Sequence, residues 1–307
     1  MLDLAKELVE KKEVSESTAS AYIRMLIQLN DKKEFKNLTF LKKKEDIERK
    51  LETYAESSQK TILSAITSVL TLYKDKPTYK KVYQYYYDRM MDKGKKLNER
   101  DTSQKTEKQE ENWIEWKDVQ AIRDDLSNKV KEFGKKISND DFTTLLHYMI
   151  LSLYTEIEPR RNLDYLDMVV VKKWKDTMPS DKNYVELNPT RFIFNKYKTA
   201  KTYGRQVLDI PEALQKSIKL YLSYHPLKKS AVFPFLVYGD GRPLTVVNSI
   251  TRILNKIFHK NVGSSMLRHI FITDKFGDVK NEMEDVANKM GHSVVEQQGT
   301  YNQSKNT

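Results

Sequence analysis

At 307 residues the chain is long enough for two domains of ordinary size, each with its own core, and too short for a comfortable third. Its 54 lysines and arginines outnumber 43 aspartates and glutamates, and the balance of +11 favours a polyanionic partner, either nucleic acid or an anionic membrane. The lack of cysteine excludes disulfides, thiolate catalysis and thiolate metal sites. The five histidines are scattered without a metal-binding cluster, and no apolar run approaches the length of a membrane span. The opening MLDLAKELVEKKE is a charged amphipathic segment without the apolar core of a signal peptide, so the chain reads as soluble and not secreted.

Residues 1–93 read as a small helical domain of four or five short helices. Ser17 is placed to cap a helix whose Tyr22, Met25, Leu26 and Leu29 follow the spacing of one buried face. A second helix is predicted near Glu45 to Tyr54. Ser57 or Ser58 caps a third, in which Ile62, Ile66, Val69, Leu70 and Tyr73 form a stripe, and Pro77 suits the first turn of a fourth. Lys42, Lys43 and Lys44 form a run, and Lys80, Lys81 and Arg89 sit among Tyr79, Tyr83, Tyr85, Tyr86 and Tyr87. Basic side chains neutralise phosphates and tyrosine hydroxyls add contacts, so these residues make a candidate duplex-binding face. The same pattern also fits a solvated lysine surface over core tyrosines.

From Gly94 to Asn112 the sequence GKKLNERDTSQKTEKQEEN holds one large apolar residue, Leu97, the composition of a solvated linker. A linker of this length lets two domains close around a duplex as a clamp. The second domain, 113–307, opens with a helix through Trp113, Trp116, Val119, Ile122 and Leu126. Ser138 or Asn139 then caps a strongly apolar helix, Phe142 to Tyr154, which is expected to be central because it is apolar on more than one face. Pro159 interrupts it, and Arg160 and Arg161 follow at once, where they can aim into whatever site the helix supports. Satisfying backbone carbonyls at a helix end is the alternative for either arginine.

Met168 to Val171, Tyr184 to Leu187, Phe192 to Phe194 and Gln206 to Ile210 are short β-prone runs separated by turn residues, which predict a small antiparallel sheet of three strands. The last two runs flank N-K-Y-K-T-A-K-T-Y-G, read as a hairpin connection carrying Lys198 and Lys201. Helices resume at Pro211 to Tyr224 and Thr245 to Phe258 and read as scaffold. The fold class is therefore mainly α with a small antiparallel β-sheet: a helical domain followed by a mixed α+β domain.

The C-terminal stretch carries the chemistry. It reads S-S-M-L-R-H-I-F-I-T, then a helical pattern, then M-G-H-S-V-V-E-Q-Q-G-T-Y-N-Q, which orders Arg268, His292 and Tyr301. A tyrosine attacks well only at an activated ester whose developing charge is held by other groups, and a phosphodiester gripped by arginine forks meets that condition. L-R-H-x-F-x-T, followed by G-H-S and a tyrosine nine residues after that histidine, resembles the catalytic boxes of the tyrosine recombinases, the phage-integrase family. E-P-R-R-x-x-D-Y together with S-S-M-L-R-H-I is similar, more loosely, to integrases of large eukaryotic DNA viruses and their mobile elements.

The resemblance implies a helical core-binding domain at 1–93, whose opening matches S-x-x-T-x-x-x-Y at Ser15, Thr18 and Tyr22, and a catalytic domain at 113–307. It implies Arg161 as the first catalytic arginine, oriented by Asp164 three positions on; Arg160 is the alternate. It further implies Lys198, with Lys201 as alternate, as the general acid on the leaving oxygen, Arg268 and His292 on the phosphate, and Tyr301 as nucleophile. Most members carry histidine where this chain has Ser265, which can hydrogen-bond a phosphate oxygen but cannot shuttle protons near neutral pH. His269 is expected to be a structural histidine. No metal or cofactor enters such chemistry. The implied partner is double-stranded DNA, bound by a chain that is monomeric in solution and tetrameric on its sites. The place is intracellular, wherever the DNA lies: a host nucleus, a viral factory or a bacterial cytoplasm. A type IB topoisomerase, a telomere-resolving enzyme and a catalytically silent DNA-binding relative are the alternatives.

Overall fold

A computed structural model of the chain describes residues 4–98 and 104–298. The chain divides into two compact units, 1–104 and 105–307.

The first unit is a bundle of helices α1 (Leu4–Lys12), α2 (Glu16–Leu29), α3 (Lys44–Glu52), α4 (Glu56–Thr71) and α5 (Pro77–Asn98), with a short 3-10 turn at Thr39–Lys42. Its core gathers Leu26 and Leu29 of α2, Ile62, Ile66, Val69 and Leu70 of α4, and Val82 and Tyr86 of α5. The caps differ from expectation. Ser15, not Ser17, accepts the Thr18 N–H at the start of α2, and α4 begins a residue before Ser57 with Ala55 at its cap. Glu56 there supplies a first-turn acid in place of a capping hydroxyl. The expected linker carries helix at both its ends. α5 continues through Gly94 to Asn98, and α6 (Glu107–Asn112) starts at Thr106, whose hydroxyl and Gln109 make a reciprocal capping box.

The second unit is built on α8 (Asn139–Thr155), ten of whose residues are buried. Each large apolar side chain so buried is worth about 1.5–3 kcal/mol, which makes this helix the natural centre. Ser138 caps it, in a box closed by Asp141. α7 (Trp116–Lys131), α11 (Glu212–Tyr224) and α12 (Ser249–Phe258) pack on it, and α13 (Ser264–Met290) follows.

The sheet has five strands and is mixed, not antiparallel with three. Its order is β4 (Gln206–Asp209), β3 (Thr190–Phe194), β2 (Tyr184–Leu187), β1 (Val169–Val171) and β5 (Val232–Pro234). β1 and β2 are parallel, with Val170 opposite Val185, because residues 172–183 cross over instead of turning back; the other pairs are antiparallel. β5 escapes sequence reading because it is three residues long and ends in proline. No helix among the described residues is long and apolar enough to cross a membrane.

Candidate functional site

The end of α8 is fixed before it reaches the arginines. Glu156, at its C-terminal cap, accepts from Arg123 of α7 at 2.8 Å and from the Ser217 hydroxyl of α11 at 2.9 Å. Burial raises the Glu156 carboxyl, with Ser217 and Arg123 opposing it. The chain then breaks through Pro159 into the short helix α9 (Asn162–Tyr165), whose N-cap residue is Arg161. Asn162 ties that turn to the scaffold: it accepts from the Tyr154 hydroxyl at 2.6 Å and donates to Thr251 of α12 at 2.8 Å.

The two adjacent arginines differ sharply. Arg160 donates through Nε to Asp164 Oδ2 at 2.9 Å and through a terminal nitrogen to Gln206 at 3.0 Å, and its guanidinium lies 3.9 Å from the centre of the Phe194 ring. The expected pairing of Asp164 with Arg161 is therefore corrected. Asp164 holds Arg160, because a turn of α9 puts the acid on the side where Arg160 lies flat against the sheet. Arg161 makes no side-chain hydrogen bond or ion pair among the described residues, and neither does Arg268.

Arg160, Arg161, Asp164 and Arg268 line one open cleft of about 520 Å³, which Thr199, Tyr203 and strand β4 also line. Asp164 is buried, and burial pushes its carboxyl up, opposed by Arg160 first and then by Arg161 and Arg268. One buried carboxylate is thus within electrostatic reach of three guanidinium groups. Among the described residues the cleft keeps two positive forks without a partner, an arrangement suited to a planar or tetrahedral dianionic or monoanionic oxyanion. No protein-family model matches the chain, and no curated protein or solved structure matches it either.

The remaining predicted residues divide by location. Lys198 and Lys201 are both exposed on the connection between β3 and β4, which is not a plain hairpin: it contains a helical turn, α10 (Ala200–Tyr203), ended by Gly204 at φ 66°. Their neighbours Tyr197, Thr199 and Tyr203 line the cleft. The connection is anchored by Asn183, which bonds the backbone of Asn195 and Lys196, and by the Tyr197 hydroxyl on the Gly204 carbonyl. Ser265, in the first turn of α13, lines a second cavity of about 660 Å³ that shares Arg268 with the first and adds Phe271 and Phe276. His269 lines it too and is exposed.

His292 does not join them. It follows Gly291, which ends α13 in the left-handed conformation at φ 75°. Its backbone N–H donates to Ala287, and its ring contacts the Ser293 carbonyl at 3.3 Å. α13 is continuous from Ser264 to Met290, so His292 stands about 35 Å along the helix from Arg268. Tyr301 lies outside the described residues.

In the first unit, Lys42 and Lys44 stack on Tyr79 and Tyr85 at 5.6 and 4.2 Å. Lys43, Lys80 and Lys81 are exposed. Arg89 is already matched: Glu48 accepts two of its N–H groups, at 3.0 and 2.7 Å, together with the Tyr85 hydroxyl. The Arg89 bond holds the Glu48 carboxyl below its usual range. Sequence reading missed Glu48, Asn162, Gln206 and Tyr154, since each acts through a partner distant in the chain; a carboxylate among basic residues, at Glu48, was the one available signal.

Proposed function

We propose that this chain is a DNA strand-breaking and rejoining enzyme of the tyrosine-recombinase type, a site-specific recombinase or integrase. The observation that carries the reading is the meeting of Arg161 and Arg268, both without side-chain partners among the described residues, in one cleft beside a buried acid. More than a hundred residues of sequence separate them, and the motif resemblance had paired them beforehand.

In this reading the two arginines grip the non-bridging oxygens of the scissile phosphate. The Tyr301 oxygen attacks phosphorus as the bond to the 5′ oxygen breaks, and Lys198, or Lys201, delivers the proton that the leaving oxygen takes up. The product is a 3′-phosphotyrosyl link and a free 5′ hydroxyl. Attack by a 5′ hydroxyl of another strand reverses the step and joins new partners, so the phosphodiester energy is conserved and neither metal nor cofactor is consumed. Ser265 and His292 serve the phosphate as hydrogen-bonding groups, and His292 assists the transfer of the proton that the Tyr301 hydroxyl gives up. Lys42, Lys43, Lys44, Lys80 and Lys81 hold the duplex by its backbone, with four copies assembled on two duplexes inside the compartment that holds the DNA.

Incubating the protein with suicide duplexes nicked near sites from the flanks of its own gene, then resolving the mixture under denaturing conditions, tests the chemistry. A covalent adduct lost in Tyr301→Phe is the expected result; binding without adduct in both proteins overturns it. Two observations favour a second reading, a DNA-binding relative without cleavage activity: serine stands at position 265, and His292 is far from the arginines. An adduct gained only in Ser265→His would decide for that reading.

A further inference from the structure

Asn183 stands just before β2, and its backbone is fixed there because its carbonyl accepts the Val169 N–H of β1 at 2.9 Å. The residue is 4% exposed, and its side chain makes four hydrogen bonds. The amide nitrogen donates to the carbonyls of Asp164 and Lys196, both at 2.8 Å, and the amide oxygen accepts the N–H groups of Asn195 at 2.9 Å and Lys196 at 2.8 Å. Two donors meet two carbonyls and one oxygen meets two N–H groups, so the capacity of the amide is filled and only one orientation of it fits.

Those bonds join two parts of the candidate site that come from different stretches of chain. Arg161 caps α9, its carbonyl accepts the Asp164 N–H at 2.9 Å, and the Asp164 carbonyl in turn accepts from Asn183. On its other side Asn183 holds Asn195 and Lys196, the first residues after β3, with Lys198 two positions on. A path of hydrogen bonds therefore runs from Arg161 through Asp164 and Asn183 to the root of the connection that carries Lys198 and Lys201. The connection's own ties point elsewhere: Asn195 donates to the Lys182 carbonyl and accepts from Arg205, and the Tyr197 hydroxyl closes on Gly204. Arg160 grips the far end through Gln206.

An amide buried in this way adds little net stability, because it exchanges bonds to water for bonds to protein. What four directional bonds confer is a single geometry. The lysines need one, since both are exposed on a connection whose tip is one helical turn, and a reacting group displaced by about 1 Å can lose about 10²-fold in rate.

We propose that Asn183 is a positioning residue: it ties the root of the β3–β4 connection to the turn that carries Arg161, and so sets the lysine donor against the phosphate that the arginines hold. The tie is a feature of the fold; its catalytic meaning rests on the recombinase reading.

A sulfur atom in place of the bridging 5′ oxygen of the scissile phosphate isolates this role. In both duplexes the Tyr301 oxygen bonds phosphorus as the bond to the 5′ atom breaks with its electron pair, and the tyrosine proton leaves alike. Only the oxygen must also take up a proton, because a thiol ionises at about pH 8.5 whereas water, a guide to an alcohol, needs about 15.7. Asn183→Asp keeps the volume and the two acceptor contacts and loses both donors. Asn183→Ala loses all four bonds, and the aspartate variant carries the test if the alanine variant does not fold.

Both variants should slow adduct formation roughly 10²-fold on the oxygen duplex and less than about three-fold on the sulfur duplex. Arg268→Ala, by contrast, should be slow on both. Hydrogen exchange over residues 196–204 should quicken roughly five- to ten-fold in the Asn183 variants, with α8 unchanged. Equal slowing on the two duplexes overturns the proposal, and so does unchanged exchange over 196–204. An adduct on the sulfur duplex alone in the unsubstituted protein overturns it as well, since no lysine would then be delivered. No adduct on either duplex with the unsubstituted protein, beside quickened exchange in the variants, would refute the recombinase reading and the catalytic meaning with it, while the tie itself would be confirmed.

Discussion

The two ends of α13 obey different physics. At the N-terminal end Leu267 and Ile270 are fully buried, Trp116 of α7 packs edge-on against Phe271, and Arg268 is aimed into a cleft whose other walls come from α9 and β4. Beyond Ile272 the helix has one buried side chain, Ala287, and is otherwise held by its own hydrogen-bond ladder and by the short helix α14 (Val294–Glu296). Helices draw most of their stability from tertiary packing, so the first end is fixed and the second is not. A site built at the fixed end is preorganised; anything delivered by the other end must be brought there.

The largest expected effect is at the fixed end. Arg268→Ala and Arg161→Ala should each slow adduct formation by about 10²–10³-fold in single-turnover trapping, the usual loss on removing one group that stabilises developing charge. Binding to the duplex should change far less. Equal losses for Arg160→Ala with unchanged thermal stability would erase the distinction between the committed arginine and the free pair.

The next effect concerns stability. Asp164→Ala leaves Arg160 without its carboxylate, and breaking a buried pair commonly costs about 3–5 kcal/mol. Here about 2 kcal/mol is expected, because Arg160 keeps Gln206 and the face of Phe194. A denaturant midpoint measured for the whole chain reads it directly.

Much of the fixed end was legible in the sequence, and the reason is local. The apolar run of α8, the break at Pro159 and the arginines after it are signals within twenty residues of one another, and capping at Ser138 follows from its own neighbours. What was not legible depended on the third dimension. Asp164 lies three residues from Arg161 and four from Arg160, and spacing alone cannot say which guanidinium it meets when the turn of α9 and the ring of Phe194 decide. The parallel pairing of β1 with β2 likewise depends on a crossover over residues 172–183 that has no regular pattern. The C-terminal boxes gave order and spacing but not separation in space, because the order of Arg268 and His292 does not say that a helix runs unbroken between them.

The smallest effect is the most discriminating, because its sign differs between the two ends' behaviours. Val279 is half exposed on the straight helix. Alanine is the better helix former, by roughly 0.5 kcal/mol over a β-branched residue, so Val279→Ala should stabilise slightly if this side of the helix stays in water. If it is instead covered, the same change removes two buried methyl groups and should destabilise by about 1 kcal/mol. Leu267→Ala at the fixed end gives the reference, a loss of about 3 kcal/mol in either case. Thermal denaturation of the three proteins side by side, with and without duplex, therefore reports the sign at Val279 against a scale set within the same helix. A stabilising sign that turns destabilising on adding DNA would mean that the duplex itself recruits the free end.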